Sequence, residues 1–125
     1  MKTLGEIEKE QPVAIKLKQN GNEGEIETVK AIAARFYQPL VLDINANWDL
    51  ATAEQNLAEL RPLASRILWI EQPLPPDQMQ KLPGPFRFYA DEAVAEDRVG
   101  DFYDGVVLKP AIYGIKKNTR ACRTI

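Results

Sequence analysis

Short apolar runs in this chain end, one after another, in residues that could do chemistry together: Lys16 and Lys18, Asp43 and Asn45, Glu71, Asp91, and Lys109. Three acids, Asp43, Glu71 and Asp91, close three successive runs. Brought to one place, they would repel one another strongly unless a cation were bound among them. Ligands that are all oxygen select a hard ion, Mg²⁺ first and Mn²⁺ or Ca²⁺ next. The lysines bracket that set in the chain. Two ammonium groups two residues apart on a strand disfavour each other's charge, which is one way a lysine becomes a base.

The elements that must position these groups are legible from periodicity. The runs are Val13 to Lys18, Leu40 to Asn45, Ile67 to Glu71, Phe86 to Asp91 and Gly105 to Lys109, each followed by polar punctuation and most by a segment able to form helix. Alternation of this kind predicts an α/β fold with a largely parallel sheet. Residues two apart in a strand share a face. Lys16 therefore pairs with Lys18, Val41 with Asp43 and Asn45, Trp69 with Glu71, Tyr89 with Asp91, and Val107 with Lys109. Ile15, Leu17, Leu42, Ile44, Ile70 and Leu108 face the helices. Charge then collects at the C-terminal rim of the sheet, where barrel enzymes place their sites.

Between the first two runs Ile26, Val29, Ile32 or Ala33, and Phe36 fall at helical spacing, which predicts a helix over about 23–37. Asp49 is the expected N-cap of the next helix, with Ala53, Leu57 and Leu60 on its inner face and Pro62 ending or bending it. The connections over 75–82 and 96–102 are too short for more than a turn or two.

The 125 residues are 45% hydrophobic and 27% charged, the range of one ordinary domain. There is no histidine, so Ser-His-Asp and Cys-His catalysis and imidazole metal sites are excluded within the chain. Cys122, the single cysteine, forms no disulfide framework and reads as incidental. A net charge of −2 carries no bias toward nucleic acid or anionic membrane. The basic tail Lys116, Lys117, Arg120 and Arg123 reads as a solvated end. No run approaches the roughly 20 apolar residues of a membrane span, and no signal peptide follows Met1, so a cytoplasmic location is expected.

Taken singly, each residue has a plainer explanation. An acid at a strand end is commonly a helix cap or a surface carboxylate, and a Lys-x-Lys pair an edge strand or solvated face. The shared structural phase of five such positions, in the order Lys, Asp, Glu, Asp, Lys, favours the functional reading.

Ile15-Lys16-Leu17-Lys18, Leu42-Asp43-Ile44-Asn45-Ala46-Asn47-Trp48, Ile70-Glu71-Gln72-Pro73-Leu74, Ala90-Asp91-Glu92 and Asp104-Gly105-Val106-Val107-Leu108-Lys109-Pro110 together resemble the muconate cycloisomerase-like branch of the enolase superfamily, which includes dipeptide epimerases and o-succinylbenzoate synthases. The resemblance runs from about Pro12 to Gly114. It implies a TIM-type (β/α) barrel, of which the five runs are about the second to sixth of eight strands. It also implies that Asp43, Glu71 and Asp91 hold Mg²⁺, which binds a substrate carboxylate and stabilises the enediolate formed when the α-proton leaves. Lys18 would be the acid/base on one face and Lys109 its counterpart, or a charge stabiliser, on the other. Lys16 would support the base and bind the carboxylate, and Asn45 would back the metal ligands. Gln72 and the prolines after Glu71 would merely shape a loop. The partner is a small carboxylate-bearing substrate.

The chain departs from that pattern in several places. Nothing in it corresponds to the family's N-terminal capping domain, and the first, seventh and eighth strands are missing. The paired glycine and threonine usual after the last lysine are replaced by Ile115, Lys116 and Lys117 after Gly114, and 118–125 fit no element. A closed barrel takes about 250 residues, so the chain is expected to be a single incomplete barrel domain over 1–125, weak or inactive alone and prone to self-association through open strand edges.

Two readings from other classes stay open at this stage. A receiver-type phosphoacceptor domain also has about this length, five parallel strands with terminal acids, and a Lys-Pro like Lys109-Pro110; it lacks an acidic pair on the first strand here. A non-catalytic α/β scaffold is the other.

Overall fold

The computed structural model describes residues 13–91, 102–107 and 123–124. Strands β1 (Ile15–Lys18), β2 (Leu40–Asp43), β3 (Ile67–Glu71), β4 (Phe88–Ala90) and β5 (Gly105–Val106) lie side by side in chain order, every pairing parallel. A sixth, β6 (Arg123–Thr124), pairs parallel with β1 at Ile15 and Lys16. The sheet order is thus β5-β4-β3-β2-β1-β6. The first five strands never reverse direction of growth across the sheet. A receiver domain needs the order 2-1-3-4-5, so that reading fails on topology, while sequential parallel addition is how a barrel wall is built. The tail expected to fit no element supplies β6. It covers part of the β1 edge that was expected to lie open to a second copy.

Helix α1 (Glu25–Arg35) turns Ile26, Val29, Ile32 and Ala33 onto the sheet, with Phe36 buried just beyond, the face expected from spacing. It starts two residues later than expected because Gly24, at φ 86, holds the N-cap position. The Glu25 carboxylate then accepts from the backbone N–H groups of Asn20 and Asn22, closing the loop that leaves β1. Helix α2 (Leu50–Leu60) is capped as expected: Asp49 accepts from Thr52 N–H at 2.7 Å. At Arg61 the chain tightens into a 3₁₀ turn carrying Pro62, and Arg66 at its end donates to the carbonyls of Ala33, Phe36 and Gln38 at 3.1, 2.6 and 2.9 Å. Those are carbonyls at and just past the C-terminus of α1, so one guanidinium satisfies its open acceptors and fixes where β2 begins. The connection at 75–82 holds a single 3₁₀ turn, Pro76–Gln78; that at 96–102 falls outside the described residues but for Phe102.

The core lies between sheet and helices. Ile15, Leu17, Leu40, Leu42, Ile44, Ile70 and Phe88 meet α1 and α2 residues there. Register between β2 and β3 slips by one residue, Leu40 pairing with Ile67 and Val41 with Trp69. The extra residue, Leu68, is 41% exposed. The bulge lets Ile67 reach the core while Trp69 turns to the opposite face. No described helix is long and apolar enough to cross a membrane.

Candidate metal centre

β2 and β3 terminate in Asp43 and Glu71, and Asp91 stands one residue beyond β4. Hydrogen bonds between successive rims hold the three ends level: Ile44 N–H donates to Glu71 O at 3.0 Å, Gln72 N–H to Tyr89 O at 2.8 Å, and Val107 N–H to Ala90 O at 2.7 Å. The result is a buried cluster. Asp43, Glu71 and Asp91 are 4%, 2% and 6% exposed, and one carboxylate oxygen from each lies within 4.8 Å of the others.

Lys16 enters this cluster from β1. Its Nζ is 2.9 Å from Glu71 Oε1 and 3.9 Å from Asp43 Oδ2. At an effective dielectric of about 20, two carboxylates no more than 4.8 Å apart repel by at least about 3.5 kcal/mol, and Lys16 returns about 6 and about 4 kcal/mol at its two distances. These attractions do not exceed the three repulsions, and desolvation adds to the cost. Burial accordingly pushes the Asp43 carboxyl above its ordinary value against the pull of Lys16, with Asp91 adding to the rise and Lys18 and the Asn45 N–H opposing it. Burial likewise raises Glu71, again opposed by Lys16 and by the Trp69 indole. Three carboxylates and one ammonium leave two negative charges, which one divalent cation neutralises. Asp43 Oδ1 is buried without a hydrogen-bond partner among the described residues, an acceptor that an ion would satisfy. The donors are all hard oxygens. The residues present therefore fit Mg²⁺ or Mn²⁺.

Of the residues picked out from sequence, Lys16, Asp43, Glu71 and Asp91 converge. Lys18 is the exposed end of β1, in register with Asp43. Asn45 departs from its expected place. β2 stops at Asp43, and Asn45 and Ala46 are left-handed at φ 55 and 61, so Asn45 does not share a strand face with Val41 and Asp43. Its short polar side chain tolerates that conformation, and its backbone N–H favours the ionised Asp43 carboxylate. Lys109 lies outside the described residues.

Two residues do more at the site than their sequence patterns imply. Trp69 donates its indole N–H to Glu71 Oε2 at 2.9 Å while stacking on Tyr89, centroids 4.7 Å apart and planes 4° from parallel. That stack reaches β5 only because Gly105 has no side chain: a Cβ there would lie 2.9–3.1 Å from the Tyr89 ring. Gln72 is not the mere loop-former expected of it. It is wholly buried and its side chain accepts from the Asp91 N–H at 3.0 Å.

Comparisons with known proteins agree with this geometry. The chain is similar to o-succinylbenzoate synthase from Thermosynechococcus elongatus BP-1, solved with magnesium in its active site: identity is 27%, TM-score 0.59, over 77% of this chain and 36% of that one. It is also similar to muconate lactonizing enzyme from Mucobacterium smegmatis, at 22% identity and TM-score 0.67 over 86% of this chain and 34% of that one. The same enzyme complexed with muconolactone gives 22% and 0.66 over 84% and 32%. This chain thus spans about a third of the length of each. No curated protein matches it. Residues 3–96 match the family described as enolase C-terminal domain-like, and with the acid cluster on sequential parallel strands, the chain belongs to that family.

Proposed function

We propose that this chain is the ion-binding part of an enzyme that removes a proton next to the carboxylate of a small substrate, leading to epimerisation, cycloisomerisation or dehydration of the dipeptide epimerase or o-succinylbenzoate synthase kind. The observation that carries the reading is the meeting of Asp43, Glu71 and Asp91 within 4.8 Å on the sheet face from which Lys16 projects. Mg²⁺, or Mn²⁺ in its place, would be held by those three carboxylates, and when bound supplies fixed positive charge against a substrate carboxylate and the charge that develops as its α-proton leaves.

The chain's own residues do the rest. Lys18, exposed at the end of β1 and in register with Asp43, takes or returns the α-proton. Lys16 keeps a positive charge against Glu71 and Asp43 and so faces the substrate carboxylate with an ammonium already oriented. Trp69 aims Glu71. Lys109 is assigned the opposite side of the substrate by its place in the motif. The described sheet does not close around a substrate; the 125-residue chain alone is therefore proposed to bind the ion without turnover.

The test pairs Mg²⁺ titration with NMR of α-proton exchange in dipeptides dissolved in D₂O. Expected are saturable Mg²⁺ binding, its loss in Asp43→Asn, Glu71→Gln and Asp91→Asn, and no exchange above background. A chain that binds no Mg²⁺ overturns the functional reading; rapid exchange overturns the proposed inactivity.

A further inference from the structure

The sheet itself fixes the backbone of two of the three acids, because Asp43 and Glu71 are the last residues of paired strands. Asp91 stands one residue past β4, and its N–H is held by the Gln72 side chain. Gln72 is itself fixed at every polar group. Its N–H donates to Tyr89 O at 2.8 Å and its carbonyl accepts from Ala46 N–H at 2.7 Å. Its Nε2 donates to Leu74 O at 2.8 Å and to the Tyr103 hydroxyl at 2.7 Å. The orientation of the amide is unambiguous, since a backbone N–H can only donate and a carbonyl can only accept. Gln72 also sits at φ 40, a conformation costing about 1–3 kcal/mol in a residue with a side chain and kept only where the surroundings enforce it. The strain turns one buried amide into a strut between the ends of β3 and β4 and the residues entering β5.

We propose that Gln72 is a positioning residue that makes the site selective for Mg²⁺ against Ca²⁺, by fixing the backbone from which the Asp91 carboxylate projects. This rests on the acid cluster holding a dication. Mg²⁺ demands near-ideal octahedral geometry at about 2.0–2.1 Å, whereas Ca²⁺ accepts six to eight oxygens at about 2.3–2.6 Å in looser arrangements. A site with one wandering carboxylate loses the first ion and keeps the second.

The experiment is calorimetric titration of the full chain with MgCl₂ and, separately, CaCl₂, for the unaltered protein, Gln72→Met and Tyr103→Phe, with ion-free melting temperatures alongside. Gln72→Met keeps bulk but cannot accept from Asp91 N–H. Expected is a loss of Mg²⁺ affinity of about 10- to 100-fold, with Ca²⁺ affinity within about 3-fold. Tyr103→Phe, which removes only one restraint on the amide, shifts the Mg²⁺/Ca²⁺ ratio the same way by about 3-fold and keeps the proposal testable if Gln72→Met does not fold. A role confined to folding lowers the melting temperature and weakens both ions alike; that result, or an unchanged ratio in either folded variant, overturns the proposal. If the unaltered chain binds neither ion, the metal reading itself fails and this role with it.

Discussion

Asp43→Asn separates the electrostatic cost of the acid cluster from its use. Without a divalent ion, Lys16 offsets no more than the mutual repulsion of the three carboxylates, and burial leaves Asp43 and Glu71 raised. A carboxyl raised in the folded state binds its proton more tightly folded than unfolded. Its contribution to stability is therefore full below the unfolded value, near pH 4, and is lost as pH climbs through the raised folded value. Asp49 runs the other way: its carboxylate is lowered by the Thr52 N–H, and its contribution is lost as pH falls. Comparing Asp43→Asn with the unaltered chain cancels such common slopes. Ion-free, the variant should melt at or above the unaltered chain at pH 7, and its advantage should shrink toward pH 4. Mg²⁺ inverts the order. At a hundred times its dissociation constant it adds about 2.7 kcal/mol, which for a domain of this size is about 10 °C, and the gain fades at low pH as protons compete for the ligands. In Asp43→Asn the Mg²⁺ shift should fall below about 2 °C, on the same stability-to-temperature scale. Scanning calorimetry from pH 4 to 8, with and without MgCl₂, reads all of this. An equal Mg²⁺ shift in the variant, or an ion-free variant that loses ground to the unaltered chain as pH rises, refutes the reasoning.

Trp69→Phe removes a hydrogen bond to a charged group, worth about 1.5–3 kcal/mol; Mg²⁺ affinity should fall about tenfold or more, and most of the Mg²⁺-dependent change in tryptophan fluorescence should vanish with it. Arg66→Ala leaves three carbonyls without their donor and should lower the urea midpoint by an amount equivalent to about 2–4 kcal/mol, since bonds to a charged donor count for more than neutral ones. Gly105→Ala should cost about 1–3 kcal/mol by overpacking and flatten the near-ultraviolet dichroism of the Trp69–Tyr89 stack.

What could be read in the sequence follows from period. Alternation places Lys16, Asp43, Glu71 and Asp91 on one side and the aliphatics on the other, and one register across parallel strands carries that arrangement into space. Asp49 and Pro62 act within a residue or two of themselves, so their effects are visible locally. Gln72 was missed because its task depends on a positive φ that nothing in Glu-Gln-Pro dictates and on an N–H nineteen residues away. Asn45 was misplaced because strand alternation was extended past a turn for which the asparagine itself was the warning. The Leu68 bulge and the β6 pairing depend on partners distant in the chain; two residues added to an edge leave no periodic trace.

The central claim is that one hard dication sits among three carboxylates. The most direct measurement is a crystal of the chain grown with Mn²⁺ and its anomalous difference map. The account predicts one strong peak within coordination distance, roughly 2.0–2.6 Å, of an oxygen each from Asp43, Glu71 and Asp91, with Lys16 still beside Glu71. Ordered carboxylates turned away from one another, with no peak between them, would contradict it.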